Sequence, residues 1–505
     1  MAYVINNNNG ESGYSRADFI SALEGKQDVL QSGVNIKTVD GNSVLGQGNI
    51  EVVSQTYPHE LSELESQLRT KAVSDINHIV NDLIVGSEGN TNNVKKEDLF
   101  MFGVISDLHH ITDGHSYGPD NSHVVTKAEH SIRLLGSIAF DVGLDTVICC
   151  GDLSNGYKNY NPNTDLSGYL RQEYDEIIFP LISGYFNKYI LCPYFFVDGN
   201  HDRGYKTSDN FSTNKHWLDT VDSINNARGE NITITKIKDI IEDNGIYYPT
   251  GGGIGAGTTM TDDGVTGNNT SASYLVEFNT KKVRCAMFSS YESYIAFNAN
   301  SDINYGNTYP LSIYAATKFS TPTDAKDWML LAFRHSFQST AHSNTSIPYS
   351  SNQAFLGILG DFMMTGKNQG GNWGGQMSYN WPAPNPDPNG NNIKGRAYAG
   401  IITGHQHFHT MSTGGTTCPS IVLSRSFENS ATFVDGYPTS EDSYCFSIFI
   451  IDTVNWWLYE VQVGRVGGVN DVESLSTGNR ERVARKGGTT ENMTGLYRYK
   501  IHQHR

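Results

Sequence analysis

No stretch of the chain is both long and apolar enough to cross a membrane as a helix, which takes about 20 predominantly apolar residues. The most apolar late segment, 444–463, is interrupted by Ser447, Asp452 and Asn455 and reads as two strands. Cysteine is sparse and unpatterned. The six residues (Cys149, Cys150, Cys192, Cys285, Cys418 and Cys445) show no C-x-x-C spacing, and the apolar runs VICC, YILCP and VRCAMF carry several of them. That distribution points to buried free thiols and away from a disulfide framework. Positive charge is also in deficit, with 36 Lys and Arg against 53 Asp and Glu and a formal net charge of -17. A chain of this sign lacks the basic surface that holds a phosphate backbone, so nucleic acid is not an expected partner. Acidic residues can still line a metal pocket, and phosphate chemistry stays open. The opening residues, MAYVINNNNGESG, lack a charged n-region followed by an apolar h-region, so no secretory leader is expected.

What is present falls into regions of different texture. The length of 505 residues suggests about three domains, or one large α/β body filling most of the chain. Residues 1–53 are polar and rich in Asn and Gly, with a helix candidate at 15–24 and a small β element after it. Residues 54–97 hold a helix and a linker. Leu61, Leu64, Leu68, Ala72, Ile76, Ile79 and Leu83 recur at spacings of three and four, which is an amphipathic stripe. The stripe suits either a helix lying on the globular body or a short self-associating coiled coil. The polar run Gly86–Asn93 then predicts a boundary near residue 95.

From 98 to 466 strands and helices alternate. Leu99–Ile105 reads as a buried strand, 127–140 as a helix, 146–150 as a strand, 169–185 as a helix and 194–197 as a strand. This is the pattern of a βαβαβ unit with a mainly parallel sheet. A hairpin is predicted for 274–278 and 283–288, with short strands at 329–333 and 398–403. Long Gly- and Asn-rich loops at 250–272 and 366–395 belong to the class that is usually functional. Residues 467–505 turn polar and basic, either wrapping the domain or contacting a partner.

Successive strands end in chemistry. The first leads into Ser106-Asp-Leu-His-His110, the second into Gly151-Asp152 and the third into Gly199-Asn-His-Asp202. The fourth leads into Arg334-His335 and the last into Gly404-His-Gln-His407. In an open α/β sheet the carboxyl ends of the strands are where ligands bind. Carboxylate, imidazole and amide oxygen at five such ends make a donor set for Mn, Fe or Zn.

These five blocks, in this order, resemble the calcineurin-like metallophosphoesterase superfamily, whose pattern is D-x-H, G-D, G-N-H-[DE], a lone His and G-H-x-H. The resemblance covers about residues 99–464 and implies a four-layer αββα sandwich with a binuclear metal site at the sheet edge. It implies two divalent ions (Mn, Fe or Zn), one held by Asp107, His109 and His407 and the other by Asn200, His335 and His405, with Asp152 shared. It further implies hydrolysis of a phosphate ester by a metal-bridging hydroxide, with His201 as general acid oriented by Asp202. Arg203, Arg334 and His409 are candidate substrate contacts, with structural pairing the competing reading for each. The protein-phosphatase form of the second block carries an Arg and a second Asp. Here that block reads Gly151-Asp-Leu-Ser-Asn-Gly156, which points to the phosphodiesterase and phosphomonoesterase branches.

The segment 26–50, KQDVLQSGVNIKTVDGNSVLGQGNI, is similar to a recurrent module of bacteriophage tail fibres and baseplate appendages. Together with the helix it implies a virion-attachment module, a stalk that trimerises and an enzymatic head, made in the host cytoplasm without a signal peptide. Expected partners are other tail proteins and a phosphorylated small molecule or cell-envelope glycopolymer. Two other readings stand beside this one: a receptor-binding head that only holds phosphorylated glycans, and an intracellular nucleotide phosphodiesterase.

Overall fold

The computed structural model describes residues 56–85, 94–110, 127–153, 179–197, 199, 202, 232–236, 274–288, 328–335, 371–373, 377–379, 397–405, 409–412, 420–422, 433–434, 437–464, 480–482 and 495–503. The chain divides into two compact units, Met1–Pro58 and His59–Arg505, and the described fold is that of the second. The front module expected over 1–53 and the long loops at 250–272 and 366–395 (bar 371–373 and 377–379) lie outside the described residues.

The fold is mixed α/β, built on two multi-strand sheets. The first runs in the order β17 (Arg480–Arg482), β18 (Leu496–Lys500), β16 (Trp457–Gly464), β15 (Cys445–Asp452), β1 (Leu99–Ile105), β2 (Thr146–Cys149) and β3 (Tyr194–Phe196). The second runs β11 (Thr410–Ser412), β12 (Ser420–Val422), β10 (Ala397–Thr403), β7 (Met329–Arg334), β6 (Val283–Phe288), β5 (Tyr274–Phe278) and β4 (Ile232–Lys236), with β19 (His502–Gln503) pairing onto β10. Two small hairpins stand apart, β8 (Gly371–Trp373) with β9 (Met377–Tyr379) and β13 (Phe433–Val434) with β14 (Tyr437–Pro438).

β1 is buried at every position because it lies between two neighbours, β2 parallel and β15 antiparallel, and is covered on both faces. That accounts for its unbroken apolar run, the sequence mark of a strand with no solvent face. Helix α2 (Lys127–Val142) makes the crossover from β1 to β2, and α3 (Phe179–Tyr189) lies between β2 and β3. Ile132, Leu135 and Ala139 bury one side of α2, with Leu134, Ile138 and Val142 beside them. The approach of α2 to the sheet is close: a Cβ on Gly103 would lie 2.8 Å from Leu135 Cδ1. At its end, Gly143 takes φ 74° and its N–H reaches the Ala139 carbonyl at 3.0 Å, the left-handed stop that glycine adopts without strain.

The sheets face each other across aromatic contacts. Phe100 meets Phe278 at 4.8 Å between ring centres, Phe102 meets Phe333 at 5.9 Å, and the Tyr274 hydroxyl donates to the Phe196 carbonyl at 2.6 Å. The described helices pack on the first sheet. Among the described residues no helix is long and apolar enough to cross a membrane.

Helix α1 spans Glu63–Val85. Leu68, Ala72, Ile76, Ile79 and Leu83 are buried in the same core as β1 and α2, and the helix packs on α2 and β16. Its apolar stripe is therefore used on the body, the first of the two readings. Of the basic C-terminal stretch, β17 and β18 extend the first sheet and β19 pairs with the second, so these parts wrap the domain.

Candidate metal centre

The loops after β1 and β2 are zipped together beyond the strand ends. The Cys150 N–H reaches the Ile105 carbonyl (2.9 Å), Asp107 N–H that of Gly151 (2.9 Å), His109 N–H that of Asp152 (2.8 Å) and His110 N–H that of Leu153 (2.7 Å). The parallel pairing thus continues through the residues that carry the chemistry. Side-chain and backbone bonds join the second sheet to this loop pair. The His405 N–H donates to the Asp107 carboxylate at 3.0 and 3.1 Å, and His335 Nδ1 lies 2.6 Å from the Cys150 carbonyl. The Gly404 N–H binds the His335 carbonyl (2.9 Å), tying the ends of β10 and β7 to each other.

Two groups of ligand atoms result, Asp107, His109 and Asp152 in one and Asp152, His335 and His405 in the other, with atoms in each group within 4.8 Å of one another. Asp152 belongs to both. Its Oδ2 is 3.5 Å from His109 Nε2 and 3.1 Å from His335 Nε2. Asp107, His109, Asp152 and His335 are buried, and His405 is half-buried. A carbonyl only accepts, so the bond to Cys150 puts a proton on His335 Nδ1 and turns Nε2 toward the carboxylates, the usual way an outer partner orients a metal-binding imidazole.

The site fits two divalent ions on its donor chemistry. Carboxylate oxygens and imidazole nitrogens suit Mn, Fe and Zn alike, and a cation would offset the repulsion between the two buried carboxylates. His335 shows the demand directly. Burial opposes its charged form, yet Asp152, then Asp107 and the Cys150 carbonyl, outweigh burial and raise its pKa to about 10. A proton on His335 and a metal ion therefore compete for the same carboxylates.

Backbone strain gathers here too. Asp107 (φ 56°), His109 (φ 45°), Asp152 (φ 54°) and His405 (φ 75°) are four of the six non-glycine residues with positive φ among the described residues. Each such residue costs about 1–3 kcal/mol, a cost tolerated where the turn must aim a side chain.

Two glycines keep the centre open. A Cβ on Gly404 would collide with Ser106 Oγ and lie 2.5 Å from Asp107 Oδ2, and one on Gly199 would strike the Asp152 carboxylate and its backbone nitrogen. Gly404→Ala is expected to displace Asp107 and weaken Mn binding by tenfold or more, the scale on which outer supports of metal ligands act. Titration calorimetry on the variant checks this, and wild-type affinity would mean the neighbours yield without moving the ligand.

Of the residues expected from sequence, Asp107, His109, Asp152, His335 and His405 are brought together. Asn200, His201, Arg203 and His407 lie outside the described residues. Asp202 is buried and binds backbone: its Oδ2 accepts from the Asp152 N–H (2.9 Å) and Gly199 N–H (2.8 Å), and its Oδ1 from the Leu153 N–H (2.8 Å). This carboxylate clamps the third strand-end turn onto the second, a role that no spacing announces. Arg334 is buried at the end of β7. His409 is also buried, with Nε2 2.8 Å from Glu460 Oε1. Burial raises the pKa values of the Cys149 and Cys150 thiols beneath the site, so they are inert packing groups.

Residues 100–280 match the family described as calcineurin-like phosphoesterase. No curated protein is a significant match. Among solved structures, a dimetal phosphatase from Danio rerio is similar at 12% identity and TM-score 0.41, over 73% of this chain and 97% of that one. A protein described as a 5'-nucleotidase from Staphylococcus aureus, in complex with alpha-ketoglutarate, is similar at 14% identity and TM-score 0.29, over 70% of this chain and 51% of that one. At these values neither structure carries an argument, and the reading of the site rests on its own geometry and on the family match.

Proposed function

We propose that the chain is a metal-dependent phosphoesterase that hydrolyses phosphodiesters of host cell-envelope glycopolymers from a phage tail; the match of residues 100–280 to the calcineurin-like phosphoesterase family and the ligand groups around Asp152 support the chemistry. The observation that carries the chemistry is the sharing of Asp152 between two ligand groups. The tail context is supported by the tail-fibre-like segment 26–50, and the diester preference follows from that context, since envelope polymers such as teichoic acids are bridged by phosphodiesters.

On this reading Asp107, His109 and His407 would hold one ion, Asn200, His335 and His405 would hold the other, and Asp152 would serve both. Bound divalent ions lower the pKa of water and offset charge on the phosphoryl oxygens. The chain's own groups do the rest. His335, fixed by the Cys150 carbonyl, keeps its Nε2 on the Asp152 side. His201 supplies the proton to the departing alkoxide. Asp202, next to His201 in sequence, binds the Asp152, Leu153 and Gly199 amides and so ties residues 199 and 202 to the Asp152 loop.

The test compares bis(p-nitrophenyl) phosphate with p-nitrophenyl phosphate, on metal-stripped protein and after adding Mn. Mn-dependent turnover that favours the diester is expected, and no turnover of either substrate with any metal would sink the enzymatic reading. His201→Ala should keep its metal and lose about 10²- to 10⁴-fold in rate, the usual share of general acid catalysis. A fully active variant would show that the acid lies elsewhere. For the envelope substrate, purified Gram-positive wall and capsule preparations should release soluble phosphoglycan fragments. Turnover of nucleoside cyclic phosphates with none of the polymers would favour a nucleotide phosphodiesterase instead.

A further inference from the structure

We propose that Glu460 is a positioning residue for the metal centre, acting through His409 on the segment 404–409; the inference rests on the phosphoesterase reading of that site. The segment joins β10 to β11 and carries His405 and His407. Its first end is held by the Gly404 N–H on the His335 carbonyl and the His405 N–H on the Asp107 carboxylate. Its other end is held at His409, whose Nε2 lies 2.8 Å from Glu460 Oε1. Glu460 sits in β16 of the first sheet, whereas His409 immediately precedes β11 at the edge of the second. The bond therefore ties the ligand-bearing segment across to the opposite sheet.

The anchor is itself immobilised. Glu460 is fully buried and accepts from Ser447 Oγ (2.8 Å) in β15 and from the Tyr499 hydroxyl in β18, with Gln462 Nε2 at 3.5 Å. The His409 ring lies nearly parallel to that of Tyr497, with centres 6.4 Å apart. An ionised carboxylate is acceptor-only, so His409 Nε2 carries the shared hydrogen. A buried carboxylate costs several kcal/mol unless its oxygens are satisfied. An apolar residue would pack this spot between the sheets without that cost. What the carboxylate adds is direction: a charge-assisted bond aimed at the end of the segment whose other end binds Asp107. Holding residues 405 and 409 fixes where this short stretch of chain begins and ends, so metal binding has less ordering left to do.

The test uses the full chain and reads Mn affinity by titration calorimetry, with the melting temperature of the metal-free protein alongside. Glu460→Gln and His409→Ala are expected to bind Mn about tenfold more weakly, the lower end of what outer supports contribute. His409→Gln, whose amide nitrogen reaches about as far as Nε2, should stay within about threefold of wild type. Glu65→Gln, a substitution of an equally buried acid in α1 bound to Arg133 and Tyr444, should lower the melting temperature and leave Mn affinity unchanged. Wild-type affinity in both Glu460→Gln and His409→Ala overturns the proposal. So does an equal loss of affinity in Glu65→Gln, which would make metal loss a consequence of instability alone. Should Glu460→Gln not fold, the His409 pair decides: an affinity lost with Ala and kept with Gln supports positioning, and no difference refutes it. Bis(p-nitrophenyl) phosphate turnover is followed in parallel. Wild type that binds Mn without turnover defeats the phosphoesterase reading and leaves the affinity ratios to decide the positioning role.

Discussion

Asp152→Asn is expected to lose bound metal and phosphoesterase turnover together, with the rate falling by at least about 10³-fold, several kcal/mol of transition-state stabilisation. Asp152 is the residue common to both ligand groups, with Oδ2 near both His109 and His335. An Asn there offers one neutral oxygen in place of a charged pair and turns a donor toward atoms that a metal would share. The backbone is not at issue, because the Asp152 N–H keeps its bond to Asp202. Elemental analysis after incubation with Mn, beside hydrolysis of bis(p-nitrophenyl) phosphate, reads both effects. Melting gives a third measure: Mn at a hundred times its dissociation constant stabilises wild type by about 2.7 kcal/mol, and this rise should vanish in the variant. Two metals retained with wild-type turnover would remove Asp152 from the centre of the mechanism.

The second large effect concerns stability. Arg133→Ala should destabilise the protein by about 3–5 kcal/mol, the cost of leaving a buried charge without its partner. Glu65 is fully buried and accepts from Arg133 Nη2 (2.7 and 2.9 Å), while His130 Nδ1 lies 3.1 Å away and the Tyr444 hydroxyl 3.2 Å. It also caps α1, its Oε2 taking the Ser62 N–H (2.8 Å) while its own N–H reaches Ser62 Oγ (3.2 Å). Burial raises its pKa, but the bonds from His130 and Arg133 and the Arg133 charge override burial and lower it from 4.5 to about 2. A folded-state pKa below the unfolded one means stability that is fully present above about pH 4.5 and lost as pH falls through about 2, worth roughly 3 kcal/mol in all. Urea unfolding between pH 5 and pH 3 should therefore show a steeper loss in wild type than in Glu65→Gln. Equal slopes would mean that Glu65 is not the titrating group.

The helix that Glu65 caps shows where sequence reasoning stops. Its stripe of Leu68, Ala72, Ile76, Ile79 and Leu83 demands an apolar partner, but spacing does not name one, and α2 with β16 satisfies it as well as a second copy would. Ser62 and Glu65 cap each other at the helix start, and only the folded chain brings Arg133 and Tyr444 to the same carboxylate. The strands are legible for a different reason. β1 and the β5–β6 hairpin follow from continuous apolar runs bounded by turn residues, which are local signals.

The same division runs through the site. Asp107, His109, Asp152, His335 and His405 are readable because each stands at the end of a strand, where a parallel sheet must present its ligands. The Cys150 carbonyl, the Asp202 amide clamp and Glu460 are not, because each acts on a partner that only folding brings near: His335 lies 185 residues beyond Cys150, and Glu460 lies 51 beyond His409. His409 meets Glu460 only because folding brings the two sheets together. The sequence by itself determined the donor types and their order, since ligand chemistry belongs to side chains. Tertiary structure decided which of those side chains meet and which backbone groups aim them, since hydrogen bonds between distant strands exist only once both sheets have closed on their shared core.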